Sequence, residues 1–435
     1  MQRFRIFITL TLLIAALFAL ALGTNHAVSP EDSPWEVATD QPGRQVRVRE
    51  ASKTAALRKE TLRKSLEAYF EKAIATGDIV GAGVSIVKEG EILVSDGFGR
   101  RNARKADPVD GETIFRLGSL SKGFTGILAA SIKYEGGFDW EDKVTDYIPG
   151  FTLGDRGNSH RITLAHLLSH TAGAPYHSYT NLVEAGLSIT EIASRFKEVQ
   201  PISAPGELYS YQNALFALSG AIIQKVSGQD VAEAFKSRLF YPLEMCATNM
   251  DHEALLAQEN VALPHYRSGR GWKPKKLVDN YYNAIPAGGI NASAADMARW
   301  MRFLLGYNPE VMPRRAIEEA FTPVVEIPGK GKYYQRWPGH LSSHYGFGWR
   351  IHKFKEGASE LEKTIWHHGG SVNSFRNEIA IFPEADLGIC VLLNSNSKRS
   401  TTVIPDLYEI VGEIYSESPK AFSEHLMAEI STLDP

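Results

Sequence analysis

Strand-like segments lie near both ends of this 435-residue chain, and the sequence between them is mostly helical or irregular. Residues 83–88 and 92–98 flank Glu89-Gly90, a tight-turn signal. Near the other end, residues 346–352, 363–367, 378–382 and 387–393 have the same strand character. Two separate β units of that size would each bury too little core. One antiparallel sheet assembled from both chain ends is the economical alternative. Amphipathic helices expected at about 51–76 and 403–415 flank it, and residues from about 125 to 340 form a mostly helical second lobe. The expected fold class is therefore α+β, with a ligand cleft between the lobes.

Charge and cysteine usage narrow the partners. A net charge of -3 gives no reason to expect nucleic acid. Arg3 and Arg5 precede an uninterrupted apolar run from Ile6 to Gly23, so residues 1–23 read as a signal peptide or a membrane anchor. The chain is accordingly expected to be exported, to the periplasm or beyond, and membrane attachment through the run stays open. Residues 24–50, with Pro30, Pro34 and Pro42, read as a linker. The folded domain is expected over 51–417 and a tail over 418–435. Cys246 and Cys390 are expected to be unpaired thiols.

The chemistry-bearing stretch is Gly118-Ser119-Leu120-Ser121-Lys122-Gly123. Apolar residues at Leu120, Phe124, Ile127, Leu128 and Ile132 recur at three- and four-residue steps, which predicts a helix beginning at Ser119 and stopping at Gly136-Gly137. Ser119 and Lys122 then share one helix face. A serine attacks only when something takes its proton, and a lysine does that only if burial or nearby positive charge lowers its pKa. The same spacing at Ser85/Lys88, Ser194/Lys197 and Ser395/Lys398 falls in a strand, inside a helix and in a polar loop.

Activated serine chemistry also needs oxyanion donors and a base, a part that a tyrosine can play when nearby cations lower its pKa. Of three Tyr-x-Asn triplets, Tyr211-Gln212-Asn213 stands between a turn and a helix, a firmly held position. Those at Tyr179 and Tyr281 read as surface or core aromatics. His367-His368-Gly369-Gly370 lies at a strand whose glycines would let a substrate pair along the backbone. His166 and His170 have metal-like i, i+4 spacing but lack a Glu between them and a third ligand, so no metal and no cofactor is expected.

Taken in order, Ser119-Leu120-Ser121-Lys122, Tyr211-Gln212-Asn213 and His367-His368-Gly369 resemble the three motifs of the class C β-lactamase-like branch of the serine β-lactamase and penicillin-binding protein superfamily. Leu164 to Gly173, Pro286 to Trp300 and Tyr345 to Trp349 are similar as well. The resemblance implies that Ser119 is the acylated nucleophile and that Lys122 and Tyr211 share its proton. Asn213 would orient Lys122 and bind the substrate amide. The backbone N–H groups of Ser119 and Gly370 would form the oxyanion hole. His367 would stand where true class C enzymes have a lysine, as a cation for a substrate carboxylate that is only partly charged near neutral pH. Asn373 would narrow the cleft where the branch often has glycine. The expected function is an exported serine hydrolase acting on an amide or ester of a small molecule or peptide. A cell-wall D-Ala-D-Ala carboxypeptidase, a weak β-lactamase and a non-catalytic sensor are the alternatives, and oligomeric state is left open.

Overall fold

The computed structural model describes residues 42–269, 271–357 and 361–415. The chain divides between Ala56 and Leu57 into two units, and apart from the start of the first helix everything below concerns the second. The expected leader at 1–23 and tail at 418–435 lie outside the described residues. Helix α1 spans Pro42–Ala75, so helical backbone begins before position 51, with its proline in the first turn where a missing N–H costs nothing. Among the described residues, no helix is long and apolar enough to cross a membrane.

The sheet is built from both ends of the chain. Strands β1 (Gly81–Lys88) and β2 (Glu91–Gly99) come first, and Glu89 and Gly90 both turn through positive φ (51° and 75°), matching a twisted two-residue hairpin. Short strands β3 (Ile114–Arg116) and β4 (Asn291–Ser293) pair separately. Then come β5 (Val325–Glu326), β6 (His340–Tyr345), β7 (Arg350–Lys355), β8 (Glu362–Val372), β9 (Phe375–Phe382) and β10 (Leu387–Leu393). The eight-stranded order is β2-β1-β10-β9-β8-β7-β6-β5, antiparallel throughout. Position β10 therefore takes the seam between the two chain ends, and all seven of its residues are buried. Strand β6 escapes sequence reading because His-Leu-Ser-Ser-His-Tyr is largely polar, and 346–349 is loop because Gly348 turns through φ +79°.

Helices cover both faces. Leu62, Leu66 and Phe70 of α1 and Val403, Leu407 and Val411 of the last helix pack on Val84, Ile86, Ile389 and Val391. On the other face Met297, Trp300 and Met301 join Cys390, Leu392 and the helical lobe. Each such fully buried side chain contributes about 1.5–3 kcal/mol. Strand alternation then decides which way each β8 side chain points. Ile365 belongs to the terminal-helix face and Trp366 to the lobe face. The two cysteines are free, Cys246 exposed and Cys390 buried.

Candidate active site

Ser119 stands in a single 3-10 turn, Gly118–Leu120, that leads into α2 (Ser121–Tyr134). The α-helix thus starts two residues later than its apolar spacing predicts. Gly118 has φ +57°, and a Cβ there would lie 2.9 Å from the Ser371 carbonyl carbon, so only glycine lets the turn approach β8 this closely. Asn377 of β9 fixes the approach from below: its Nδ2 donates to the carbonyls of Arg116 (2.9 Å) and Leu117 (3.1 Å).

Around the Ser119 hydroxyl, Lys122 Nζ lies 3.3 Å away and the Tyr211 hydroxyl 3.0 Å. Lys122 is fully buried. Among the described residues no carboxylate pairs with it; Nζ donates to Asn213 Oδ1 and to the Ala287 carbonyl, each at 2.8 Å. Burial, with the Arg350 guanidinium adding to it, holds the amine well below its ordinary pKa. A neutral amine has two protons and one lone pair. In that form the two N–H donors meet Asn213 Oδ1 and the Ala287 carbonyl, which leaves the lone pair for Ser119 Oγ. Asn213 is held in turn, its Nδ2 donating to the Tyr281 hydroxyl at 3.0 Å. Tyr281, read as a surface or core aromatic from sequence, is part of this cluster.

Tyr211 behaves differently from the expectation of a phenol made acidic by cations. Burial outweighs Arg350 and pushes it up to about 12. It is therefore a protonated donor to Ser119 Oγ. His170 packs on its ring with centroids 4.2 Å apart. That imidazole accepts the Gln212 N–H at Nδ1 (3.1 Å), so its Nε2 proton goes to the Tyr345 hydroxyl (3.2 Å), which passes its own to His368 Nε2 (2.9 Å). His368 Nδ1 then donates to the Gly369 carbonyl (2.8 Å). His166 accepts the Thr163 N–H within a capping box. Among the described residues no cluster of potential metal ligands occurs.

His367 does not reach this group. It is 0% exposed and lies on the opposite face of β8, between His352 (3.1 Å) and Glu378 (2.8 Å). Burial holds it well below the usual imidazole range, so it is neither a cation near neutral pH nor a ligand for substrate. Arg350, on β7, is a cation that does line the cleft. Its Cζ lies 4.8 Å from the Tyr334 ring centroid, and its buried Nε and Nη1 have no polar partner among the described residues. A cavity of about 710 Å³ joins Ser119, Tyr211, Asn213, Gly369, Gly370, Arg350 and Glu378. It opens at the β8 edge where pairing with β7 ends, after His367. Asn373 does not line it; with φ 44° it forms the β8–β9 turn and donates to the Lys276 carbonyl (3.0 Å). No sequence motif marks Arg350 or Glu378. Alternation along β8 was the available signal that His367 and His368 must part.

Comparison with known proteins agrees with this architecture. The family model described as Beta-lactamase matches residues 66–411. "Protein flp" of Staphylococcus aureus (strain NCTC 8325 / PS 47) is 23% identical over 346 residues, which are 79% of this chain and 64% of that protein. The chain thus spans less than two thirds of that relative. A "Beta-lactamase" of Escherichia coli (strain K12) is 26% identical over 345 residues, covering 73% of this chain and 85% of that protein. Among solved structures, the octameric penicillin-binding protein homologue from Pyrococcus abyssi superposes with a TM-score of 0.67 at 24% identity, over 82% of this chain and 78% of that one. EstCE1, described as a hydrolase with promiscuous acyltransferase activity, gives 0.68 at 19% identity, over 81% and 99%. At these identities the two superpositions are likenesses of fold.

Proposed function

The chain belongs to the β-lactamase family, and from that premise we propose that it is a serine hydrolase cleaving an amide or ester through a Ser119 acyl-enzyme. One observation carries the reading: the Ser119 hydroxyl lies between a buried lysine that has no carboxylate partner among the described residues and a protonated tyrosine. Lys122 takes the serine proton as Oγ attacks the carbonyl. Tyr211 gives its proton to the leaving group, and the resulting phenolate is stabilised by Lys122, whose Nζ is 4.8 Å from its ring centroid, and by Arg350. In the second half Tyr211 takes a proton from water, the hydroxide attacks the acyl carbon and expels Ser119 Oγ, and Lys122 returns its proton to that oxygen. The N–H groups of Ser119 and Gly370, in the same cavity, are the proposed oxyanion donors.

Arg350 supports a substrate class. Arg350 is half-buried, and buried guanidinium donors left unpaired are costly unless something fills them. A carboxylate on the acyl donor would do so, as in D-Ala-D-Ala peptides or β-lactams, with Lys332, Arg376 and Lys398 also lining the cavity. The apolar run at 6–23 is retained in this proposal as an export segment. A fluorophosphonate or penicillin probe should label wild type and leave Ser119→Ala unlabelled; equal labelling of both would remove Ser119 as nucleophile. Turnover of p-nitrophenyl esters, a chromogenic cephalosporin and D-Ala-D-Ala peptides then ranks the substrates.

A further inference from the structure

Resting on the hydrolase reading above, the geometry points to a proton path along one face of the sheet: His340, Ser343, His352 and His367 carry protons between solvent and Glu378, which exchanges them with the Ser119 cavity. The links are continuous. His340 Nε2 is 2.7 Å from Ser343 Oγ, and Ser343 Oγ is 2.8 Å from His352 Nδ1. His352 Nε2 is 3.1 Å from His367 Nδ1, and His367 Nε2 is 2.8 Å from Glu378 Oε2. The outer residue, His340, is partly exposed; Ser343, His352 and His367 are buried; Glu378 lines the cavity that holds Ser119. Every link is a ring nitrogen or hydroxyl that gives a proton on one side while taking one on the other.

The strand below is cut to admit this carboxyl. A Cβ at Gly369 would lie 2.5 Å from the Tyr333 hydroxyl and 3.0 Å from both Glu378 oxygens. Tyr333 donates to Glu378 at 2.8 Å. Arg350 from β7, Arg376 on its own strand and Cys390 from β10 are the other titratable groups near Glu378. Around the imidazoles stand Tyr334, Trp337, His344, His368 and Arg350. Burial keeps His352 and His367 uncharged and pushes Glu378 up to about 8, so the path rests as a chain of neutral groups.

The transfer balances without a co-reactant. A cavity proton binds Glu378 Oε1 while the proton on Oε2 moves to His367 Nε2. The His367 Nδ1 proton passes to His352 Nε2, and the His352 Nδ1 proton to Ser343 Oγ. The Ser343 proton passes to His340 Nε2, and the His340 Nδ1 proton leaves to solvent. Ester hydrolysis at neutral pH frees one proton per turnover, and an acyl group filling the cavity blocks the direct exit. These are positioning residues for proton exchange and take no part in the attack by Ser119.

The test uses the full chain as wild type, Ser343→Ala, Ser343→Thr and His352→Gln. It reads probe labelling of Ser119 and p-nitrophenyl ester turnover in dilute buffer, with and without added imidazole. Ser343→Ala and His352→Gln should keep the labelling rate within about twofold but lose about tenfold in kcat. Imidazole should restore that loss as an external proton carrier, and Ser343→Thr should match wild type. Wild-type kcat in Ser343→Ala, or a loss that imidazole does not mend, would overturn the path. Should His352→Gln fail to fold, the Ser343 pair decides alone. Absence of labelling in wild type would instead overturn the hydrolase reading.

Discussion

Adjacent histidines on β8 head two hydrogen-bonded chains on opposite faces of the sheet, and their ends differ. The chain through His368, Tyr345 and His170 is pinned by backbone at both ends, the Gly369 carbonyl and the Gln212 N–H. A backbone N–H cannot take a proton and a carbonyl cannot give one, so the direction of every bond is fixed. That chain braces Tyr211. The chain through His367, His352 and Ser343 ends at a carboxyl and at a partly exposed imidazole, both of which titrate. Its direction is free to reverse. Similar residues thus make a rigid support on one face and a proton conductor on the other, and the end groups decide which.

The largest expected effect breaks the lobe face at its base. Lys122→Met removes the proton acceptor and should slow probe labelling of Ser119 by about 10³-fold. Tyr211→Phe keeps the ring packing and removes the donor; ester turnover should fall by about 10²-fold, with acylation by an activated ester less affected. Arg350→Ala should cost about tenfold or more in kcat/KM for a carboxylate-bearing ester while sparing its neutral analogue, about the value of one hydrogen bond to a charged group. Sharpening the comparison itself, His368→Asn should lower stability in urea by about 1–3 kcal/mol and leave the shape of the pH–rate profile unchanged. The smallest effect is expected at the turn: Asn373→Gly should change stability by less than about 0.5 kcal/mol and leave KM alone, because the side chain is outside the cavity.

Much of this was legible in the sequence where local pattern and tertiary role agree. The last helix occupies Val403–Tyr415 and β10 Leu387–Leu393, as their periodicity predicts. Ser119, Lys122, Tyr211 and Asn213 meet because a three-residue helical step and a turn–helix junction are local geometry. What failed was anything set by a neighbouring strand. His367 was the motif-matched histidine, yet strand alternation sends it to the Glu378 face. Arg350 and Glu378 come from β7 and β9 and belong to no recurrent spacing; only sheet register brings them to one cavity. The Tyr211 phenol was expected to be acidified by cations, but the sequence does not show how deeply it is buried.

In the proposed mechanism burial makes Lys122 a neutral base for Ser119, and the pH dependence of the Ser119 labelling rate reads this out. A lysine whose pKa is depressed in the fold is already deprotonated below its ordinary range. The rate should therefore rise with pH and reach its plateau well below pH 10, with no fall from Tyr211 until pH nears about 12. A rate still climbing steeply at about pH 10, the ordinary range of a solvated lysine, would contradict the claim.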